Sequence, residues 1–185
     1  MNAIRSSNDY KIRPIEPGDN AQMADLIVSV LASFGCVGEG YACADWETQH
    51  MYDAYRDPKS AYWVVEEKAT GRVVGGCGYA RLKKTTEEES ICELQKLYFY
   101  EEVRGLGLAR RLMDLVLEAA MKDGYREMYL ETIPPMEAAQ KLYKKTGFDY
   151  IETHRGDTGH HERCKVYMLR ALDAAPALAK ALSPS

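Results

Sequence analysis

Three groups of residues in this chain have the types and spacing that chemistry needs. The first is the turn Arg104-Gly105-Leu106-Gly107-Leu108-Ala109, which follows an apolar run (residues 94–100) and opens a helical pattern. A strand, a basic glycine-rich turn and a helix N-terminus form an anion site, because unpaired N–H groups and the positive end of the helix dipole converge there. Glycine lets the backbone approach the anion closely, and Arg104 and Arg110 add fixed charge. The second group is a pair of carboxylates near strand ends, Glu93 and Glu131; Glu93 shares a strand face with Gln95 by period-two alternation. The third is Tyr143, on a helical face with Met136, Ala139 and Leu142. A phenol there is either packed core with a satisfied hydroxyl or a proton donor. A carboxylate and a phenol at one site can take a proton and give one.

Several look-alikes fail. A dinucleotide fingerprint beginning at Gly105 would need its third glycine at position 110, which is Arg110. A P-loop would end in Gly-Lys-Ser/Thr, and the turn does not. His160-His161-x-x-Cys164, with His154 nearby, supplies at most three ligands on one loop, so no metal is expected; the loop instead shapes a pocket or lies exposed. No cysteine is paired in sequence with a base that would activate it.

The elements that must position these groups are legible from periodicity. Residues 11–15, 62–66, 73–81, 91–100 and 127–132 read as strands, with a hairpin at residues 69–72. Met23, Leu26, Ile27, Val30, Leu31 and Phe34 make one apolar helical face, stopped by Gly35. Asp45 is placed to cap a second helix running through Tyr55. Leu108, Leu112, Leu115, Val116, Ala119 and Ala120 define the clearest helix, ended by Gly124, and a last helix runs from Pro135 to Gly147. Residues 148–153 and 163–169 close the chain as paired strands, and the charge run at 83–89 reads as a solvated connection. The order β-α-α-β-β-β-α-β-α-β-β is that of a mixed α/β domain at residues 11–170, between a flexible leader (1–10) and a flexible tail (171–185).

A net charge of −4 argues against a nucleic-acid binder, no run is long enough to span a membrane, and five scattered cysteines suit a reducing compartment, hence the cytoplasm.

Arg104-x-x-Gly107-x-Ala109 resembles the pyrophosphate-binding motif of the GNAT acyltransferase superfamily, and Ala139-Gln140-Lys141-Leu142-Tyr143-Lys144-Lys145-Thr146-Gly147-Phe148 resembles that family's A-x-x-L-Y-x-x-x-G-F helix. Leu97-Tyr98-Phe99 resembles its L-x-V strand. The resemblance covers about residues 11–170 and rests on two motifs at the proper separation. It implies a mostly antiparallel twisted sheet of six to seven strands, flanked by about four helices and splayed at strands four and five. It also implies an N-acetyltransferase that binds acetyl-coenzyme A and no metal. The pyrophosphate would lie on the backbone N–H groups of Gly105, Leu106, Gly107, Leu108 and Ala109, with Arg104 beginning the motif and Arg110 adding a contact. The pantetheine arm would pair with the backbone of Leu97, Tyr98 and Phe99, and Thr132, Met136 and Ala139 would flank the coenzyme. Met136 stands where the family often has a coenzyme-contacting Asn, with Thr132 as the candidate replacement.

In direct transfer, freeing the lone pair of a lysine-like ammonium at neutral pH costs ~5 kcal/mol, and protonating the departing thiolate is worth ~2 kcal/mol. By the resemblance Tyr143 supplies that second proton; Glu93 is the leading base, with Glu131 as second choice. The competing reading is a coenzyme-A-binding sensor or interaction module with little turnover. The acceptor is expected to be a small-molecule amine before a protein lysine, in a pocket hinted at by Tyr41, Trp46 and Tyr52. Edge strands near the C-terminus leave room for a homodimer.

Overall fold

In the computed structural model, which describes residues 5–172, one seven-stranded sheet runs through the molecule. Its strands are β1 (Tyr10–Pro14), β2 (Ala61–Glu67), β3 (Val73–Arg81), β4 (Ile91–Phe99), β5 (Glu127–Thr132), β6 (Asp149–Ile151) and β7 (Val166–Ala171), in spatial order β1-β2-β3-β4-β5-β7-β6. All neighbours are antiparallel except β4 and β5. A parallel pair needs a crossover, and helix α4 (Leu108–Lys122) supplies it. The other helices are α1 (Asn20–Ser33), α2 (Trp46–Gln49), α3 (Met51–Ala54) and α5 (Glu137–Lys145).

Alternation along β2 shows how the two faces are used. Val64 packs with Met23, Leu26, Ile27 and Leu31 of α1, whereas Val65 belongs to the opposite cluster with Leu112, Met113, Val116 and Leu117 of α4. Because helices cover both faces, β3 is buried along almost its whole length.

The three long helices end in the same way. Gly35, Gly124 and Gly147 all take positive φ, and each donates its N–H three residues back, to Ala32, Met121 and Lys144. The following residues, Cys36, Tyr125 and Phe148, donate five residues back, to Leu31, Ala120 and Tyr143. This is the Schellman pattern. In α5 it returns Phe148 beneath Tyr143, ring centroids 5.9 Å apart, which fixes the ring of the expected proton donor.

The expected second helix is two four-residue helices broken at His50 (φ −131°, ψ 40°). Asp45 precedes the first with extended backbone but makes no capping bond, because its carboxylate faces Lys96 and His160. Asn20 Oδ1 accepts the N–H of Tyr52 at 2.8 Å, which holds the second turn against α1. The closing strands are shorter or shifted relative to expectation, and Ser7–Asp9 in the expected leader form a capped 3-10 turn. The rest of the expected tail, residues 173–185, lies outside the described residues. Among the described residues no helix is long and apolar enough to cross a membrane.

One ion cluster ties β1 to α1. Arg13 gives Nη1 and Nη2 to the two oxygens of Asp19 (2.7 and 2.8 Å) and Nε to Glu66 (2.6 Å). Asp19 is 4% exposed. Burial alone would raise its pKa, but Arg13 and the Glu16 N–H outweigh that and hold it below the ordinary carboxylate range. Arg13→Ala is therefore expected to cost about 3 kcal/mol by stranding a buried charge. Its contribution should be lost as pH falls through the depressed Asp19 pKa, so the wild-type-to-variant gap in urea melts should narrow in acid.

Candidate active site

The pairing of β4 with β5 covers only Ile91–Glu127, Cys92–Met128 and Glu93–Tyr129. Beyond Glu93 the strands part, and the edge of β4 that carries Leu97, Tyr98 and Phe99 has no strand beside it there. A cleft opens at the divergence, with Glu93, Lys96, Glu131, Met136, Tyr143 and His160 among its lining residues.

The bend of β4 has an identifiable cause. Gly76 pairs with Tyr98 and Gly78 with Gln95, so two residues of β4, Lys96 and Leu97, oppose Cys77 alone. Lys96 takes φ 51° in this bulge, and the Tyr62 hydroxyl donates to its carbonyl at 2.8 Å. On β3 the facing residues must be glycine. A Cβ on Gly75 would lie 2.3 Å from the Phe99 ring, and one on Gly76 would lie 2.7 Å from Tyr62. Adjacent glycines inside a strand mark such a close approach, a signal that the strand reading of residues 73–81 leaves unused.

At the turn before α4, Gly105 (φ 78°) and Gly107 (φ 75°) adopt left-handed backbone, and neither has a neighbour within 4 Å of where a Cβ would stand. The first helical bond is from Arg111 N–H to Gly107. The N–H groups of Gly105, Leu106, Gly107, Leu108, Ala109 and Arg110 donate to no acceptor among the described residues. The Arg104 guanidinium bonds back to the Phe99 carbonyl at 3.2 Å, stapling the turn to the end of β4. Arg110 is the residue expected to add a contact at this turn. It is paired with Asp114 at 2.9 Å and reaches the Lys145 carbonyl.

Glu93 is 9% exposed and sits at the last paired position of β4. Gln95 Nε2 donates to Glu93 Oε2 at 2.7 Å, and the Tyr55 hydroxyl donates to Gln95 Oε1 at 2.7 Å. Tyr55 thereby fixes which end of the Gln95 amide faces the carboxylate. Burial raises the Glu93 pKa to about 7; Gln95, Lys96 and His160 pull against burial, and the Glu131 charge adds to it. Glu131 Oε1 accepts from the Tyr129 hydroxyl at 2.7 Å, while its Oε2 is buried without a partner. Tyr143 is 6% exposed, its hydroxyl makes no hydrogen bond among the described residues, and burial pushes its pKa well above the usual phenol value. Burial also raises the thiol of Cys164, in the same cleft, to about 12, and the Glu131 charge adds to the shift.

Thr132, the candidate replacement for the missing Asn contact, has its Oγ1 3.7 Å from Met136 Sδ. Ala139 packs against the core beside the turn's helix. Of the expected aromatic lining only Tyr41 reaches the cleft. Trp46 is 63% exposed and stacked on His50, and Tyr52 lies under Arg56.

Lys96 and Glu47, which carried no sequence signal, complete the cleft with Asp45 and with His160 of the loop expected to shape a pocket. Lys96 Nζ is 3.1 Å from Glu47 and 3.5 Å from Asp45. His160 Nε2 lies 3.2 Å from Asp45, and its Nδ1 lies 3.3 Å from the Gly40 carbonyl. Burial opposes the imidazolium, but Asp45 outweighs it and the His160 pKa is raised. The connection after α1 and the loop before β7 thus meet over the cleft. Among the described residues no three His, Cys, Asp or Glu side chains are grouped as a metal would require.

Known proteins agree with this arrangement. The acetyltransferase (GNAT) family model matches residues 31–148. The uncharacterized N-acetyltransferase YjgM of Escherichia coli K12 is 43% identical over 155 residues, covering 83% of this chain and 90% of that protein. A GNAT-family acetyltransferase from Staphylococcus aureus Mu50 has the same fold, with a TM-score of 0.75 at 18% identity over 89% of this chain and 99% of that one. So does a phosphinothricin acetyltransferase from Sinorhizobium meliloti, solved with acetyl-coenzyme A, with a TM-score of 0.70 at 16% identity over 96% and 94%. The family match spans both the phosphate turn and the helix that carries Tyr143, and the chain therefore belongs to the GNAT family of acyl-coenzyme A-dependent acetyltransferases.

Proposed function

We propose that this acetyltransferase moves an acetyl group from acetyl-coenzyme A to a primary amine by direct attack in a ternary complex. The observation that carries the reading is Glu93: a buried carboxyl with a pKa of about 7, oriented by Gln95 and Tyr55, at the point where β4 and β5 part. A base with a pKa near the working pH is both available and able to take a proton. Glu93 Oε2 is occupied by Gln95, so Oε1, which has no protein donor among the described residues, is the oxygen that accepts the amine proton.

The turn at residues 105–109 would hold the coenzyme's pyrophosphate on its free N–H groups, and the unpaired edge of Leu97, Tyr98 and Phe99 would hold the pantetheine arm. Arg104 serves by stapling that turn to β4. Attack of the neutral amine on the thioester carbonyl breaks the carbon–sulfur bond, and Tyr143 gives its proton to the departing sulfur. The raised Tyr143 pKa keeps the phenol protonated at working pH. A cysteinyl intermediate is disfavoured, because burial keeps the Cys164 thiol protonated.

Free thiol release from acetyl-coenzyme A, followed with a panel of primary amines, tests the reading. Turnover that depends on the amine supports it, and coenzyme binding without turnover on any amine would support the sensor module instead. Tyr143→Phe is expected to lower kcat by up to about thirtyfold, the full worth of a thiolate proton at neutral pH, with coenzyme affinity little changed. Unchanged kcat would remove its acid role.

A further inference from the structure

The hydrogen-bond account of the cleft does not balance, and the imbalance has a direction. Lys96 is 5% exposed and already paired with Asp45 and Glu47. Both ring nitrogens of His160 face protein acceptors, Asp45 Oδ2 and the Gly40 carbonyl. Lys83, the remaining cation of the lining, lies at the rim, 72% exposed, against Glu47. The deep cations are therefore spent on protein partners. Two carboxylate oxygens are not: Glu93 Oε1 has no donor among the described residues, and Glu131 Oε2 is buried with none.

The two carboxylates stand on the two walls of the cleft. Glu93 is the last residue of β4 paired with β5, opposite Tyr129, and Glu131 lies two residues further along β5, beyond that pairing. Tyr129 holds Glu131 Oε1 at 2.7 Å, so the side chain is fixed while Oε2 awaits a donor. A buried acceptor without a donor is costly, and a ligand that supplies N–H groups relieves the cost. An anionic ligand would find no unpaired deep cation and would face two carboxylates.

We propose that the acceptor is a diamine, whose reacting amine is served by Glu93 and whose second amine donates to Glu131 Oε2. This assignment rests on the reading of the cleft as the acceptor site. Glu131 is then a specificity-determining residue. Of three acceptors of similar length, diaminobutane offers an amine to each carboxylate, butylamine offers none to Glu131, and aminobutyrate presents a carboxylate to it.

The test compares kcat/KM for diaminobutane, butylamine and aminobutyrate by thiol release from acetyl-coenzyme A at one pH, in the wild-type protein and in Glu131→Gln. Gln keeps an acceptor for the Tyr129 hydroxyl but removes the charge. Diaminobutane should exceed butylamine by at least about tenfold, the effect of one charge-assisted hydrogen bond, with aminobutyrate the poorest. In Glu131→Gln the diamine-to-monoamine ratio should fall towards one, chiefly through KM. Turnover of aminobutyrate or butylamine as fast as the diamine, or a ratio unchanged in the variant, would overturn the diamine assignment while leaving the acetyltransferase reading intact. Absence of thiol release on all three, with turnover of another amine of the panel, would overturn the diamine assignment alone, and absence on every amine would overturn both.

Discussion

Gly107→Val should leave the protein folded and remove its affinity for acetyl-coenzyme A. Gly107 sits at φ 75°, where a β-branched residue is strained, yet no atom lies within 4 Å of the added Cβ. The added Cβ meets no protein atom, so the variant relieves the backbone strain by re-routing the turn. That turn presents six consecutive N–H groups, from Gly105 to Arg110, that are unpaired among the described residues, and their direction depends on the left-handed backbone at Gly105 and Gly107. A hydrogen bond to a charged group contributes about 1.5–3 kcal/mol, so misdirecting two of them weakens binding at least a hundredfold. The fold depends little on this turn, because α4 is held through Leu112, Met113, Val116 and Leu117. Calorimetric titration with the coenzyme, beside a thermal melt, reads both halves. Intact affinity in the variant would refute the assignment of the turn to pyrophosphate.

Glu93→Gln should make the protein more stable and far less active. The pKa of Glu93 rises from 4.5 to about 7 on folding, so the folded state holds a proton that the unfolded chain releases between those values. Stability therefore falls as pH rises from about 4.5 to 7 and then levels. The span corresponds to about 3 kcal/mol of penalty at pH 8. Gln at this position keeps the acceptor for Gln95 and carries no charge, so the variant should gain on the order of 2 kcal/mol at pH 8 and little at pH 4. Activity moves oppositely: loss of a general base typically costs 100- to 10,000-fold. Urea melts at the two pH values and amine-dependent thiol release would measure the opposed changes.

How much of this was legible in the sequence follows from how local each signal is. Helix α4 and strand β5 were readable because a 3.6-residue period and a terminal glycine act within one element. The Schellman endings at Gly35, Gly124 and Gly147 were readable for the same reason. The turn at residues 104–109 was legible as an anion site from its own residues, whereas its pyrophosphate ligand and the acid role of Tyr143 came from a resemblance carried by two motifs. The acceptor half of the cleft was hidden, because it depends on contacts between distant positions: Tyr55 with Gln95, Lys96 with Asp45 and Glu47, and His160 with Gly40. Asp45 illustrates the difficulty. Its residue type and place suit a helix cap, but two buried cations compete for the same carboxylate and win. Arg110, expected to add a contact to the coenzyme, pairs on the surface with Asp114 one turn along the helix. Gly75 and Gly76, side by side in an otherwise apolar strand, enter the sequence reading only as part of the strand at residues 73–81, although the bulge at Lys96 and the Phe99 ring across Gly75 require them.

The pH dependence of kcat/KM for amine-dependent thiol release tests the central claim most directly. Glu93 must be ionised to accept a proton, so the wild-type rate should climb with unit slope and bend near pH 7, the pKa that burial gives this carboxyl. In Glu93→Gln the residual rate should lack that bend and follow the ionisation of the free amine alone. A wild-type profile without a limb near pH 7, or the same limb surviving in Glu93→Gln, would contradict the assignment of Glu93 as the base.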